Sequence, residues 1–219
     1  VHGDSSVIAF DRTFSGAVRI AGRIEYTGYV VDAVRAAHGG AGRGEVIVSA
    51  GGGAVGAGLL EAAIRSKPRT ALRDRTWRIL AGDNLPEAEF SALARLAAGE
   101  SGIELERSRP DFTTLLANCA LSVSQAGYNT LMEIVSVGAR AVVVPFARGQ
   151  ETEQTLRAHC FAGRGLLEVV EEDALTPETL AAAVDLAALK PRPSPGSINL
   201  DGARRSAAAI KQLAMANAS

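Results

Sequence analysis

Apolar positions along this chain gather into six short runs, at residues 46–50, 77–81, 103–106, 120–123, 141–144 and 166–170. Three of the runs are rich in valine or isoleucine, which suits strands buried on both faces. Between them the apolar residues fall at helical spacing, over 55–66, 88–98, 111–117, 128–137, 152–162 and 177–189. Local punctuation agrees. Thr176-Pro177-Glu178 sets a capping hydroxyl before a proline at the first helical position. Gly99, Gly138 and Gly163 fall where helices should stop. Strand–helix alternation of this kind predicts a Rossmann-like α/β fold, a three-layer, doubly wound parallel sheet of six strands. A common order for such a sheet is 3-2-1-4-5-6, with strands 1 and 4 adjacent at the topological switch point. That order would bring two glycine turns face to face, one after strand 1 and one after strand 4.

The two ends of the chain read differently. Residues 7–10 (Val-Ile-Ala-Phe) look strand-like and are followed by loops, then by Tyr26-Thr27-Gly28-Tyr29-Val30. A glycine-rich hinge, 39–44, precedes the first buried run. Residues 190–199 hold three prolines in ten positions and cannot form regular structure. Strong helix formers over 200–216 predict a terminal helix. The chain thus divides into a front segment, 1–30, a central domain, 31–190, and a linker with a helix, 191–219.

Three segments carry chemistry. Ser124-Gln125-Ala126-Gly127-Tyr128-Asn129-Thr130 closes a strand and opens a helix, and Glu133 follows six residues after Gly127. Unpaired N–H groups at such a helix start suit an anion, above all phosphate. A carboxylate nearly two turns later can accept from sugar hydroxyls. Gly51-Gly52-Gly53-Ala54-Val55-Gly56 matches a glycine-rich dinucleotide turn. By itself this turn is weak evidence, because the acidic partner expected about twenty residues on is missing and only Asp83, about thirty on, could serve. The third segment leaves a buried strand at Val144-Pro145-Phe146 and enters a helix at Glu153-Gln154, whose acceptors and amide suit hydroxyl recognition. Each segment also has a plain structural reading as a strand-to-helix turn or a solvated helix start.

Composition narrows the field. A formal net charge of −1 leaves no basic surface for nucleic acid. No apolar stretch nears the roughly 18 residues that span a bilayer, and no charged-then-apolar leader opens the chain. Cys119 and Cys160 sit in apolar settings that suit free thiols of a reducing compartment. His2, His38 and His159 lack metal-ligand spacing.

Together the three segments resemble the nucleotide-sugar-binding, C-terminal domain of GT-B glycosyltransferases. They are similar in particular to the bacterial transferases that add N-acetylglucosamine to a lipid-linked peptidoglycan precursor. The likeness covers about 26–216 and is most specific over 124–158. It implies a donor site without metal or other cofactor, for a UDP-sugar that UDP-N-acetylglucosamine would exemplify. In that frame Gln125, Ala126 and Gly127 to Thr130 meet the donor diphosphate, and Glu133 binds ribose hydroxyls. Glu153 and Gln154 contact the transferred sugar. Backbone groups at Ser108 and Arg109 read the uracil, and Gly52 and Gly53 belong to a glycine loop near diphosphate and acceptor. The chain departs from the family at Glu153, usually Gln, at Arg157, often Asn, and in a slightly longer 145–154 loop. The resemblance further implies a preceding acceptor domain that supplies the catalytic base, of which 1–30 is the tail and to which the last helix returns. That domain would lie on the same polypeptide or on a separate one, and the chain alone would bind donor without turnover. A cytoplasmic protein with peripheral membrane contact follows from a lipid-linked acceptor. An epimerase or hydrolase on the same scaffold, and a nucleotide-binding module without catalysis, remain alternatives.

Overall fold

The computed structural model describes residues 1–31, 39–52, 56–146, 153–194 and 196–216. Its centre is one parallel sheet of six strands: β1 (Val46–Ser49), β2 (Trp77–Leu80), β3 (Ile103–Glu106), β4 (Leu121–Gln125), β5 (Ala141–Val144) and β6 (Glu168–Val169). Their order is β3-β2-β1-β4-β5-β6, the common doubly wound order. Register is continuous through the centre, with Ser49 beside both Leu80 and Ser124, and Gln125 beside Val144.

Among the described residues, seven α-helices accompany the sheet: α1 (Ala57–Ser66), α2 (Glu87–Ala97), α3 (Phe112–Asn118), α4 (Tyr128–Val137), α5 (Glu153–Ala162), α6 (Pro177–Leu189) and α7 (Gly202–Ala216). The pleat divides the apolar strand residues between two cores. Val46, Val48, Val123 and Val142 face α1, α2 and α6. Ile47, Ala141 and Val143 face α3, α4 and α5. Because both faces are covered, the strands read as unbroken apolar runs. Trp77 is fully buried, and its indole N–H donates to Leu72 O at 3.1 Å. Thr176 caps α6, accepting from Thr179 N–H at 3.1 Å, with Pro177 at the first helical position. Gly138 ends α4 at φ 60°.

The ends depart from expectation. Residues 7–10 do not form a strand. The segment turns after Asp4, whose carbonyl accepts from Val7 and Ile8, and continues into a 3-10 helix over Phe10–Arg12. Among the described residues no strand pairs with it, and Phe10 N–H donates instead to the Tyr26 hydroxyl at 2.8 Å. The proline-rich segment is irregular, as expected, yet it is tied down. Arg192 donates to the carbonyls of Gly138 and Cys119 at 3.0 and 3.2 Å, and Ile198 is buried. Tyr29 N–H donates to Asn199 O at 2.8 Å, and Val30 bridges Asp201 in antiparallel fashion. The front segment and the entry to α7 therefore form one joint on the α3–α5 side of the sheet.

Candidate functional site

Helices α1, α4 and α5 each follow a central strand, so their N-termini open at the carboxyl edge of the sheet, around the switch point. The two turns there are built differently. The first leaves β1 through Gly51, at φ 73°, and enters α1 at Gly56, at φ 132°. A Cβ on Gly56 would lie 2.6 Å from Ala50 Cβ. Glycine is demanded by the backbone itself at these positions. Asn84 braces the turn by donating to Gly52 O at 2.6 Å. Gly53, also expected at the site, lies outside the described residues, as does the 147–152 part of the third segment.

The second turn leaves β4 through Gln125 and Ala126 and enters α4 at Gly127. Here φ is −60° and ψ 146°, ordinary extended values that any residue adopts. A Cβ on Gly127 would meet nothing within 4 Å. The fold does not require glycine at this position. The first intrahelical bond runs from Leu131 N–H to Gly127 O at 3.0 Å, and no side chain caps the N-terminus. Tyr128, Asn129 and Thr130 thus hold the first three N–H groups of α4, beyond the reach of its own hydrogen-bond ladder. Asn129 and Thr130 do not cap the helix, which leaves the turn open for an external anion.

Three cavities surround this point. The largest, about 430 Å³, lies between Gly56–Leu59 at the start of α1, Gln125, and the β5 exit at Val144–Phe146. A second, about 280 Å³, is lined by Val30, Val31, Tyr128, Asn129, Met132 and Glu133. A third, about 200 Å³, takes in Tyr29, Tyr128, Glu153 and Arg157 below the front segment. Tyr128 forms the wall between the second and third. The structure therefore brings Gln125, Tyr128, Asn129, Glu133 and Glu153 around one helix start. Ala126 is fully buried in the α3–α5 core, so only its backbone can reach a ligand.

Ser108 and Arg109 line none of these three cavities. They sit beyond β3 and are held by protein partners. The Ser108 hydroxyl bonds the Asp83 carboxylate at 2.8 Å, and Arg109 forms a two-pronged bridge to Asp111, both contacts at 2.8 Å. The Arg109 hydrogen bonds hold the Asp111 carboxyl below the usual carboxylate range. From this loop α3 runs back to α4, where the Thr113 hydroxyl donates to Glu133 Oε1 at 3.2 Å. Nothing in the local sequence marks Thr113, Asn84 and Asp111 as site residues. Only the approach of separate elements makes them neighbours of the site.

Glu153 and Gln154 open α5 as expected, and both side chains have protein partners. The Gln154 carbonyl accepts from Phe146 N–H at 3.2 Å, which fixes the exit from β5. The Glu153 carboxylate pairs with Arg157, one turn along the same helix. Tyr29 packs edge-on to Phe161, with ring centroids 6.0 Å apart, and burial pushes its phenol up to about 12. Cys119 is buried, which pushes its thiol up to about 11, whereas Cys160 is only half-buried. Among the described residues no group of His, Cys, Asp and Glu has the arrangement of a metal site, and no helix is long and apolar enough to cross a membrane.

The profile of the glycosyltransferase family 28 C-terminal domain matches residues 47–213. Among curated relatives, the UDP-N-acetylglucosamine--N-acetylmuramyl-(pentapeptide) pyrophosphoryl-undecaprenol N-acetylglucosamine transferase of Paraburkholderia xenovorans is 34% identical over 134 residues, 59% of this chain and 36% of that protein. The transferase of the same description from Aromatoleum aromaticum is 30% identical over 137 residues, 61% and 37% of the two lengths. The chain spans little more than a third of these relatives. Among solved structures, Acinetobacter baumannii MurG superposes with a TM-score of 0.52 at 19% identity, covering 70% of this chain and 49% of that one. The kitacinnamycin glycosyltransferase superposes with a TM-score of 0.56 at 20% identity, covering 87% and 46%. At these identities the two superpositions establish the fold.

Proposed function

The chain belongs to the glycosyltransferase family 28 C-terminal domain family, and on that premise we propose that it is the donor-binding half of a GT-B glycosyltransferase. It would hold a nucleoside-diphosphate sugar for transfer of the sugar to an acceptor hydroxyl. One observation carries the reading: α4 begins at a glycine that the backbone does not need, with an uncapped N-terminus and open space where a side chain would stand. A glycine with no conformational duty suits the close approach of a ligand to the backbone.

In this reading the diphosphate meets the N–H groups of Tyr128, Asn129 and Thr130. Charge grows on the leaving diphosphate as the glycosidic bond breaks, and fixed N–H dipoles stabilise that charge more than the ground state. The charge is met by the backbone, and no metal is called for. Glu133, in the adjoining cavity, accepts from the ribose hydroxyls, and Thr113 orients its carboxylate. Ser108 and Arg109, whose side chains are engaged elsewhere, offer backbone groups to the base. Gln125 and the start of α1 line the space beyond the diphosphate. The names of the curated relatives support UDP-N-acetylglucosamine as the donor.

The acceptor and the catalytic base belong, in this proposal, to a further domain, in keeping with the third of the relatives' length that is covered here. Residues 1–30 would be the tail of that domain, 31–190 the donor domain, and 191–219 the return to it. The exposed Ile210, Leu213 and Met215 on α7 support such a return. An acceptor of the relatives' undecaprenol kind would bring the whole protein to a membrane surface on the cytoplasmic side.

Isothermal titration with UDP tests the reading. Binding in the micromolar to millimolar range is expected, abolished or strongly weakened by Gly127→Val with an unchanged circular dichroism spectrum. Absence of heat at millimolar UDP from folded protein would overturn it.

A further inference from the structure

The donor reading makes no use of the cavity below the front segment, about 200 Å³. The front segment contributes Val1, Ile8 and Phe10 to its lining, and α5 contributes Leu156 and Arg157. The front segment is held to the body by backbone groups. Phe10 N–H donates to the Tyr26 hydroxyl at 2.8 Å, Gly28 N–H to Gly3 O at 2.9 Å, and Asn199 N–H to the Asp4 carboxylate at 3.1 Å. The cavity is therefore preformed by tertiary contacts, as small-molecule sites usually are.

Two deeply buried polar residues line it. Tyr29 is 3% exposed and Arg157 6%. Arg157 gives Nη2 to the Glu153 carboxylate and rests on the Tyr128 ring, 5.2 Å from centroid to Cζ. Among the described residues, Arg157 Nε and Nη1 and the Tyr29 hydroxyl have no hydrogen-bond partner, while the side-chain polar atoms both unpartnered and sealed from solvent are the hydroxyls of Ser122 and Ser124. The Tyr29 and Arg157 atoms therefore reach open space, and the space these residues line is this cavity. A guanidinium so far out of water is costly while its donors go unmet. Burial pushes the Tyr29 phenol up to about 12, so at neutral pH it keeps its proton and can donate; the Arg157 charge is close enough to act on it.

A charged donor and a neutral donor side by side match the two oxygens of a carboxylate. The neighbouring walls are apolar, so the rest of the ligand must be apolar too. Glu153 already sets one negative charge on the same guanidinium, which disfavours a dianion such as a phosphate monoester. The volume equals about seven waters at roughly 30 Å³ each, well short of a drug-sized molecule. We propose that this cavity is a binding site for a small organic monocarboxylate, its carboxylate held by the Arg157 guanidinium and the Tyr29 hydroxyl, its apolar body against Ile8, Phe10 and Leu156. The site is separate from the nucleotide and does not depend on the donor reading.

The test uses butyrate as the probe and butyramide, its uncharged counterpart of equal size, as the control. Titration calorimetry on the wild-type chain should give saturable butyrate binding with a Kd of about 1 mM or tighter. Butyramide should bind at least about tenfold more weakly, the scale of a charge-assisted hydrogen bond. Tyr29→Phe removes one hydroxyl and keeps the ring against Phe161, so it should fold as wild type and weaken butyrate about fivefold to tenfold. Arg157→Gln should abolish binding, and Tyr29→Phe keeps the test valid if that variant fails to fold. Saturating UDP should leave the butyrate Kd within about twofold. Four results would each overturn the inference: no saturable binding at tens of millimolar, equal affinity for butyramide, wild-type affinity in Tyr29→Phe, or mutual exclusion with UDP, which would put the carboxylate in the nucleotide site. None of them bears on whether the chain binds UDP.

Discussion

The two glycine turns at the switch point occupy equivalent places, yet their glycines answer to different demands. At the first, Gly56 sits at φ 132° with Ala50 Cβ 2.6 Å from where its own would be. At the second, Gly127 sits at φ −60° in open space. The first glycine is explained by the chain's own geometry. The second is not, and in the proposed reading it leaves room for the donor diphosphate. A glycine-rich motif is therefore a mixture. Some of its glycines answer a demand of the backbone and some do not, and backbone angles with the nearest neighbours separate the two.

The contrast can be broken by substitution. Gly56→Ala should cost the most stability, about 3 kcal/mol, from a disallowed φ together with a clash against Ala50. Urea unfolding measures it, and a loss under about 0.5 kcal/mol, the scale of an ordinary surface change, would erase the distinction. Gly127→Ala should do the reverse. Its melting temperature should stay near wild type while UDP affinity falls about tenfold or more, as the added methyl crowds the approach to the N–H groups. If that variant lost stability and kept its affinity, the second turn would be structural after all.

Asn84→Ala sharpens the first half of the comparison. It removes the brace on Gly52 O and should cost about 1 kcal/mol, the usual worth of such a hydrogen bond, with little change in UDP binding. Hydrogen exchange at the β1–α1 turn should rise with it. The smallest effect concerns pH. Asp111, at the start of α3, has its carboxyl held low by the Arg109 hydrogen bonds. A depressed folded-state pKa gives stability that is present above the unfolded value of about 3.9 and lost as pH falls toward the folded value. Asp111→Asn should flatten the acid limb of the stability curve below about pH 4. The shift should be small, since the pair is substantially solvated.

Much of the fold was legible in the pattern of apolar residues. The central strands are covered on both faces, so Val46–Ser49 and Ala141–Val144 read as unbroken apolar runs. Thr176-Pro177 and Gly138 marked helix ends through local backbone chemistry that needs no tertiary information. Residues 7–10 show the limit of this reading. Their β-branched and aromatic side chains suit a strand, but a strand needs a partner, and this segment finds its hydrogen bonds in a turn and in Tyr26. The site was legible at its helix starts for the same local reason. Its supporting contacts were not. Thr113 and Glu133 are twenty positions apart, and Asn84 and Gly52 thirty-two, so nothing in either neighbourhood announces the other.

By itself, then, the sequence determined the alternation of strands and helices, the places where helices begin, and the acceptor groups set near those starts. Each depends on a few adjacent residues and on periodicity. Only the tertiary structure decided which glycine serves the backbone and which leaves room for a ligand, because that is a question of φ and of what lies within 4 Å. It also decided that Arg157 is buried against Tyr128 and bound to Glu153. The spacing of Glu153 and Arg157 permits a helical pair. Tertiary structure places the Tyr128 ring against the guanidinium, which is nearly out of water, and leaves the carboxylate as its counter-charge.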